Sequence, residues 1–329
     1  MRIAGWIDDG RAVIRIRAHA KLNLALRVGP RGADGFHPLA TVFQTISLAD
    51  LLYAGRGEGR DRSAEGAAAG RGATAGKAPP DSLLRLTVSG AVLPEDNTVT
   101  RAVALLAEHL RTRGAAEPAP LWMHLVKRIP AGSGLGGGSS DAVAALAACT
   151  RLWEIDRDAL QASGELQRIA ATVGSDVPFF LTGGTALGTG RGDRIEPLAP
   201  LPATWLAVAA PPIEVASAAA YAELDRLRAS GLPLPEPPPY RPVLEPAWMG
   251  NDLATAVCLR HPRVEHARQA LLAEGAGIAQ MTGSGAASFG AFASRREAAR
   301  AARALRAAGY WAGAFVSISA AQHLRATAS

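Results

Sequence analysis

One glycine-rich segment constrains the fold of this chain more than any other feature. Residues 130–141 read Pro-Ala-Gly-Ser-Gly-Leu-Gly-Gly-Gly-Ser-Ser-Asp, between a predicted strand over 121–129 and a predicted helix over 139–152. Glycines let successive backbone N–H groups face one anion, and the N-terminus of the helix adds unpaired donors and a positive dipole end. Ser139 and Ser140 can cap the helix or donate to phosphate oxygens. The segment therefore predicts a phosphate-binding loop.

Three interpretations of this loop compete. The first is a structural glycine turn without a ligand. The second is a dinucleotide-binding loop, because Gly132, Gly134 and Gly137 satisfy the G-x-G-x-x-G spacing and Asp156 lies about 20 residues further on. Asp156 follows a predicted helix instead of a second strand, which weakens that interpretation. A Walker-type loop is excluded, since no lysine follows the glycines.

The third interpretation is the phosphate loop of the GHMP superfamily of small-molecule kinases. That family's signature is Pro, three residues, Gly-Leu-Gly, then small residues and Ser-Ser, which Pro130, Gly134-Leu135-Gly136 and Ser139-Ser140 resemble. The resemblance implies that ATP binds with its phosphates over the helix N-terminus. It implies ATP contacts from Pro130, Ala131, Gly132, Ser133, Gly134, Leu135, Gly136, Gly137, Gly138, Ser139 and Ser140.

Further segments resemble the diphosphocytidyl-methylerythritol kinases within that superfamily. These are Ala18-His19-Ala20-Lys21-Leu22-Asn23-Leu24 (with His19 in place of the usual proline), Ala33-Asp34-Gly35-Phe36-His37, Glu95-Asp96-Asn97, Gly174-Ser175-Asp176-Val177-Pro178 and Met281-Thr282-Gly283-Ser284-Gly285-Ala286. The resemblance runs from about residue 12 to residue 320 and leaves 54–81 outside it as an insertion. The combination is more specific than any one segment.

Two charged residues are the predicted catalytic groups. Transfer of a γ-phosphoryl group to an alcohol needs charge neutralisation and a carboxylate near the attacking hydroxyl. The glycine loop carries no cation, and the resemblance assigns Lys21 to the active site. Asp176 lies at a predicted Ser-Asp-x-Pro helix start, where the positive helix end favours its ionised form. The resemblance implies that Asp176 is the general base.

A second set of residues is predicted to select the substrate, a cytidine diphosphate ester of methylerythritol. Phe36 can stack on the cytosine ring, although the family has tyrosine there, and His37 can read its edge. Tyr221 stands where a second aromatic is expected, with Ser217 one helical turn before it. Asn23 alternates onto the same strand face as Lys21, so it can reach the phosphate or the reacting hydroxyl.

Two further positions and a metal follow from the resemblance alone. Lys127 and Thr98 resemble positions beside the adenine ring. Kinases bridge ATP phosphates with Mg²⁺. No sequence feature fixes its protein ligand, although Ser140 is a candidate.

Composition limits the remaining function classes. The chain has 329 residues, of which 48% are hydrophobic, and two widely spaced cysteines, which suits a reducing cytoplasm. No apolar run reaches the roughly 18 residues of a membrane helix. The formal charge is +6, but aromatics are only 5% and do not interleave with basic residues, so nucleic-acid binding is not expected. Arginine supplies nearly all positive charge, and lysine occurs only at Lys21, Lys77 and Lys127.

The predicted architecture is α+β, because strands and helices mix without strict βαβ alternation. The resemblance implies the GHMP kinase fold: an N-terminal domain over 1–178, like domain 2 of ribosomal protein S5, and a ferredoxin-like C-terminal domain over 179–329. Within it we predict a disordered loop over 54–81 and a stiff proline-rich connector over 231–242. Predicted helices are 98–110 capped by Asp96, 160–173 ending at Gly174, 251–274 and 295–308, with a strand, glycine turn and strand over 280–292.

The motifs leave rival functions open. A homoserine kinase or a mevalonate-type kinase shares the loop but does not call for the Ala-Asp-Gly-Phe-His segment. A GHMP fold can also serve as a non-catalytic regulator, against which intact Lys21 and Asp176 argue. We expect a monomer or a homodimer.

Overall fold

A computed structural model of the chain describes residues 13–57, 83–233, 244–245 and 247–327. Most of the predicted 54–81 insertion and of the 231–242 connector lies outside these residues. The start of that insertion was wrongly predicted, because Ala54, Gly55 and Arg56 belong to a strand and pair with its neighbour. The strand continues because its partner along 121–126 is long enough to hydrogen-bond with it.

The first sheet has seven strands in the part of the chain that the structure describes. Its main path is β3-β4-β2-β1-β8, and β5 pairs with β2 and β6. The bounds are β1 (Ile14–Val28), β2 (Leu39–Arg56), β3 (Leu84–Ser89), β4 (Leu121–Val126), β5 (Thr185–Thr189), β6 (Arg194–Pro197) and β8 (Gly250–Asn251). Helices pack on one face of this sheet: α1 (Thr98–Thr112), α2 (Gly137–Leu152), α3 (Arg157–Ala162), α4 (Glu165–Val173) and α5 (Val177–Thr182).

Within the described residues, the second sheet has four antiparallel strands in the order β11-β7-β10-β9. They are β7 (Trp205–Ala210), β9 (Ile278–Met281), β10 (Ser288–Phe292) and β11 (Trp311–Val316), accompanied by α6 (Ser217–Ala229), α7 (Leu253–Arg260), α8 (Pro262–Ala273) and α9 (Arg295–Ala307). In chain order this is the fourth, first, third and second strand of the sheet, which is the ferredoxin-like arrangement. The helix α10 (Ala320–Thr327) packs instead against β1 and α5. The α+β prediction is confirmed by this mixture of sheets and helices.

The domains were expected to divide at residue 178, which lies inside α5. The strands that follow, β5 and β6, still pair within the first sheet, and the second sheet begins with β7. An isolated bridge between Ile46 and Ser317 also links the two sheets. The two sheets are therefore linked by the connecting chain and also by this bridge.

Three helix predictions need correction. Asn97, not Asp96, caps α1: its side chain accepts from the backbone N–H groups of Val99 and Thr100. The predicted helix over 160–173 is two helices, because Gly164 takes a left-handed conformation between them. The predicted helix over 251–274 is also two, since Pro262 starts a new helix directly after His261.

Strand β1 changes its packing partners along its length. Ile16 and Ala18 lie in the core beneath α1 and α2, whereas Leu22 and Leu24 pack with residues of the second sheet. The pairing with β2 shifts register between His19 and Lys21. Such an irregularity re-aims side chains and is frequent beside active sites. The shift lies directly before Lys21, the predicted catalytic lysine.

Two buried histidines attach α10 to the first sheet. The Nδ1 atoms of His19 on β1 and His323 on α10 are 3.3 Å apart, and Nε2 of His323 lies 2.8 Å from the carbonyl oxygen of Phe180 on α5. Burial, with the nearby His323 and Arg17, lowers the pKa of His19 from 6.5 to about 3. Burial also lowers the pKa of His323. Both rings are therefore neutral in the folded protein near neutral pH.

We predict that this histidine pair destabilises the fold in mild acid. Below pH 6.5 the unfolded chain protonates these histidines while the folded chain does not, so stability falls as pH drops from about 6.5 towards 3. Urea unfolding of wild type and His19→Phe at pH 7 and pH 5 checks this. Between the two pH values, wild type should lose more free energy of unfolding than the variant. Equal losses would contradict the prediction.

Candidate active site

The glycine loop passes close to Lys21 and to the second sheet. Gly134 and Gly136 have φ angles of 76° and 72°, in the left-handed region that favours glycine. A Cβ on Gly136 would lie 2.9 Å from Cγ of Lys21 and 2.9 Å from Cζ of Phe180. A Cβ on Gly134 would lie 2.5 Å from the carbonyl oxygen of Thr282. Glycine is therefore required at both positions by conformation and by space.

Other residues of the loop anchor it to the protein. Leu135 is 1% exposed in the core, and its carbonyl oxygen accepts from the backbone N–H of Lys21 at 3.0 Å. The Ser133 hydroxyl donates to the carbonyl oxygen of Pro130, and the Ser133 carbonyl accepts from the N–H of Ala287. The turn between β9 and β10 thus packs against the loop.

Lys21 and Asp176 meet beside this loop. Nζ of Lys21 lies 3.1 Å from Oδ2 of Asp176 and 5.4 Å from the centre of the Phe43 ring. The lysine side chain is 3% exposed and the aspartate side chain 33% exposed. Asp176 is the residue before α5, yet its side chain makes no hydrogen bond to that helix. Its carboxylate is therefore directed at the lysine and accessible to a ligand.

Asn23 holds the ammonium group from the other side. Nζ of Lys21 donates to Oδ1 of Asn23 at 2.6 Å, and Nδ2 of Asn23 donates to Oγ1 of Thr41 at 2.7 Å. The Thr41 hydroxyl donates its only hydrogen to the carbonyl oxygen of Ala25. It can therefore only accept from Asn23, which fixes the amide with its oxygen towards Lys21.

A cavity of about 820 Å³ opens over this pair and extends to the Phe36 loop. Eleven of the predicted site residues line it: Lys21, Asn23, Phe36, His37, Gly132, Gly134, Gly136, Ser139, Asp176, Ser217 and Tyr221. The structure thus brings the predicted catalytic and substrate residues to one cavity. This arrangement suits a small molecule that spans from an anion-binding loop to a group of aromatic side chains.

Comparisons with known proteins identify the family. The model of the GHMP kinases N terminal domain matches residues 97–184, and that of the GHMP kinases C terminal matches 249–310. A 4-diphosphocytidyl-2-C-methyl-D-erythritol kinase of Salinispora tropica is 39% identical over 288 residues, covering 83% of this chain and 81% of that protein. One of Moorella thermoacetica is 36% identical, covering 89% and 95%.

A crystal structure of 4-(cytidine 5'-diphospho)-2C-methyl-D-erythritol kinase is 32% identical with a TM-score of 0.66, covering 92% of this chain and 99% of that one. The chain belongs to the 4-diphosphocytidyl-2-C-methyl-D-erythritol kinase family. This membership makes it an ATP-dependent small-molecule kinase of the GHMP type. In the part of the chain that the structure describes, no helix is long and apolar enough to cross a membrane.

The far end of the cavity in this family member holds the predicted substrate aromatics. Phe36 is 50% exposed, and the Arg191 guanidinium lies 3.6 Å from the centre of its ring. His37 stacks on Tyr221 with ring centres 5.3 Å apart. Its Nδ1 lies 2.9 Å from the carbonyl oxygen of Gly29, which can only accept. Nε2 lies 3.3 Å from Oδ2 of Asp225. Both nitrogens of His37 thus face acceptors of the protein.

Tyr221 and Ser217 lie on α6, which forms one wall of the cavity. Burial and the charge of Asp176 raise the pKa of Tyr221 to about 12, so its hydroxyl stays protonated. The Ser217 and Ser284 hydroxyl oxygens are 2.7 Å apart, which links α6 to the turn between β9 and β10. Both serines line the cavity. In this pair one hydroxyl donates to the other, so the accepting serine keeps its own hydrogen for a ligand.

The predicted adenine contacts do not line this cavity. Nζ of Lys127 pairs with Asp50 and lies 2.6 Å from Oδ2 of Asp141, and its side chain is 6% exposed. Burial raises the pKa of Asp141 to about 7, although Lys127 opposes the shift. The Thr98 hydroxyl donates to the carbonyl oxygen of Gly138 at 2.6 Å. These two side chains therefore contact the glycine loop at Gly137 and Gly138 without lining the cavity.

The remaining loop residues divide by exposure. Ser140 is 2% exposed, and Ser133 and Leu135 are also buried. Pro130, Gly137 and Ser139 are half-buried, whereas Ala131, Gly132 and Gly138 are exposed.

Several cavity residues were missed by the sequence analysis. Arg191 and Asp193 lie in the turn between β5 and β6, Asp225 lies one helical turn after Tyr221, and Ser284 lies in the β9–β10 turn. The signal for Arg191 was a Gly-Arg-Gly-Asp turn sequence, and for Asp225 it was the four-residue spacing from Tyr221. Asp50 and Asp141 carried no local signal for their pairing with Lys127.

We predict that Lys21→Arg inactivates the kinase. The lysine stem lies against Gly136 and its ammonium lies 5.4 Å from the centre of the Phe43 ring, in a buried space where a planar guanidinium does not fit. Steady-state ADP release should fall by about 10²–10³-fold. The matched control is Arg303→Lys, a charge-conserving change on an exposed face of α9, which should leave turnover unchanged. Wild-type turnover by Lys21→Arg would contradict the prediction.

Proposed function

We propose that this kinase transfers the γ-phosphoryl group of ATP to the 2-hydroxyl of 4-diphosphocytidyl-2-C-methyl-D-erythritol. The products are the 2-phosphate and ADP, and the reaction belongs to the non-mevalonate route to isoprenoid precursors. The observation that carries the proposal is the Lys21–Asp176 pair beside the glycine loop, in a cavity that also reaches Phe36 and Tyr221. Relatives that share most of the chain's length bear that substrate in their names.

The catalytic pair supplies the chemistry of the acceptor side. Asp176 accepts a hydrogen bond from the substrate hydroxyl and takes its proton as the oxygen attacks phosphorus. Lys21 stabilises negative charge on the transferring group, and Asn23 holds the ammonium in place. The attack and the departure of ADP are in line, so most of the rate enhancement comes from position and electrostatics.

The glycine loop supplies the nucleotide side. Gly134, Gly136 and Ser139, at the start of α2, line the cavity, and the free N–H groups of the first turn of this helix would hold the β- and γ-phosphates. A magnesium ion would neutralise phosphate charge during transfer, and such an ion usually takes only one or two ligands from the protein. Ser139 lines the cavity, whereas Ser140 is 2% exposed. Ser139 is therefore better placed than Ser140 to offer a hydroxyl ligand.

The aromatic end of the cavity selects the cytidine. A pyrimidine ring can stack on Phe36, whose exposed face is available once Arg191 moves, or against Tyr221. His37 can read the base edge when Nε2 exchanges Asp225 for the ligand. Lys127 and Thr98 would affect ATP binding through the loop they support. A cytoplasmic location and a monomeric or dimeric state stay predictions.

The first test of the proposal is acceptor specificity. ADP release is measured with ATP and magnesium, and with 4-diphosphocytidyl-2-C-methyl-D-erythritol, mevalonate, homoserine or no acceptor. We expect turnover only with the cytidyl substrate. Turnover with mevalonate or homoserine would keep the kinase and reject this substrate, and ATP binding without any turnover would favour a non-catalytic regulator.

The second test concerns the general base. Asp176→Asn keeps the shape of the side chain but cannot accept the proton, so kcat should fall by about 10²–10⁴-fold. The KM for ATP should change little, because the loop is untouched. Asp158→Asn, at an exposed position on α3, is the matched control and should behave as wild type. An unchanged kcat in Asp176→Asn would reject the assigned role.

The third test concerns the base stack. Phe36→Ala removes the exposed ring, and stacking of a base on an aromatic side chain contributes about 1–3 kcal/mol. The KM for the cytidyl substrate should rise accordingly, with the KM for ATP unchanged. Val92→Ala, an exposed apolar residue away from the cavity, is the control. A rise in the KM for ATP alone would contradict the assignment.

A further inference from the structure

Helix α10 contacts β1 and α5, which carry or adjoin the catalytic residues, but it does not line the cavity. His323 on this helix is fully buried, and its Nε2 donates to the carbonyl oxygen of Phe180 at 2.8 Å. Phe180 lies on α5, the helix that Asp176 precedes. Its ring faces Gly136 of the glycine loop. His323 is therefore bonded to the element that carries the proposed base.

The hydrogen bond from His323 satisfies a backbone carbonyl group near the end of α5. The last carbonyl groups of a helix have no partner within it, and in α5 the N–H of Gly183 uses the carbonyl of Phe179. A Cβ on Gly183 would lie 2.3 Å from the His323 ring, so the ring closes the end of α5. Six residues span roughly 9 Å. A restraint at one end of so short a helix also fixes Asp176 at the other.

The other nitrogen of His323 bonds to the strand that carries the lysine. Because a carbonyl oxygen only accepts, Nε2 of His323 carries the hydrogen, and Nδ1 of the neutral ring is an acceptor. Nδ1 of His19 therefore donates to it across 3.3 Å. His19 lies two residues before Lys21, next to the register shift of β1. The two histidines thus bridge β1 and α5.

We propose that His19 and His323 are positioning residues that hold Lys21 and Asp176 at their working separation. This inference rests on the proposed roles of those two residues. The ion pair joins elements that are far apart in sequence, and a misplacement of about 1 Å can lower a rate by about 10²-fold. Neither histidine lines the cavity, so both act through the residues that they hold.

The surroundings keep this bridge neutral. Arg17 on β1 and Arg157 on α3 act on the two rings and disfavour their charged forms, in addition to burial. A neutral bridge can hold one hydrogen between the two Nδ1 atoms, whereas two charged rings would each present a donor there. The geometry is therefore that of a fixed structural link.

The test compares kcat with KM in histidine variants at neutral pH, on the full chain with ATP, magnesium and the cytidyl substrate. His323→Ala should lower kcat by about 10–100-fold and change both KM values by less than about threefold. His323→Gln should restore most of kcat, because its amide can donate to Phe180. Combined with Asp176→Asn, His323→Ala should cause a smaller further loss than in wild type, since one of the two groups that it positions is gone.

Controls separate positioning from stability. Leu305→Ala removes a buried side chain between α9 and the second sheet, and Leu324→Ala changes a part-exposed residue of α10; both should keep the kcat of wild type. If His323→Ala does not fold, His19→Ala tests the other half of the bridge, because it removes the contact with β1 and leaves the bond from His323 to Phe180 in place.

The possible results are distinguishable. Wild-type kcat in the folded histidine variants, or equal losses with and without Asp176, would overturn the positioning role. Wild-type kcat in Asp176→Asn would overturn the proposed base and the positioning role together.

Discussion

The ion pair of Lys21 and Asp176 is the interaction on which the site depends. A nearly buried ammonium is stable only when its donors are matched by acceptors, and here Asp176 and Asn23 supply them. The pair joins β1 to α5, and Gly136 makes room for the lysine between them. Loop, strand and helix are therefore fixed relative to one another through one charged side chain.

Local sequence was sufficient to predict several of the residues that meet at the cavity. The glycine loop, Lys21, Asn23 and Asp176 lie where the motifs indicated, because each depends on neighbours within a few residues. Helix breaks were missed although their signals were present. Gly164 and Pro262 interrupt helices in the way those residues usually do, and the apolar periodicity on either side concealed them.

The pairings between distant segments could not be predicted from one sequence. His19 and His323 are 304 positions apart, and Asp50 and Lys127 are 77 apart. The residues next to each of these four give no sign of its partner, because the partners come together only when the sheets assemble. The same holds for Arg191 over Phe36, which requires the β5–β6 turn to fold against the Phe36 loop.

The scarcity of lysine gains a physical meaning from the structure. Both lysines within the described residues place a single ammonium between two oxygen acceptors in a nearly dry space, Lys21 in the site and Lys127 behind the loop. A planar guanidinium spreads its donors too widely for such positions. Most arginines within the described residues lie at exposed positions, where that restriction is absent.

The Arg191 side chain over Phe36 has a consequence for ligand affinity. The phenyl face is in contact with a cation, in an interaction that contributes about 0.5–1 kcal/mol at exposed sites. A cytosine ring that takes this face exchanges one contact for another, so its net gain is the difference between them. Bases that stack weakly would then gain almost no binding free energy from Phe36. Arg191 competes with the base for the ring, and this competition sets the minimum stacking energy that a base needs in order to bind.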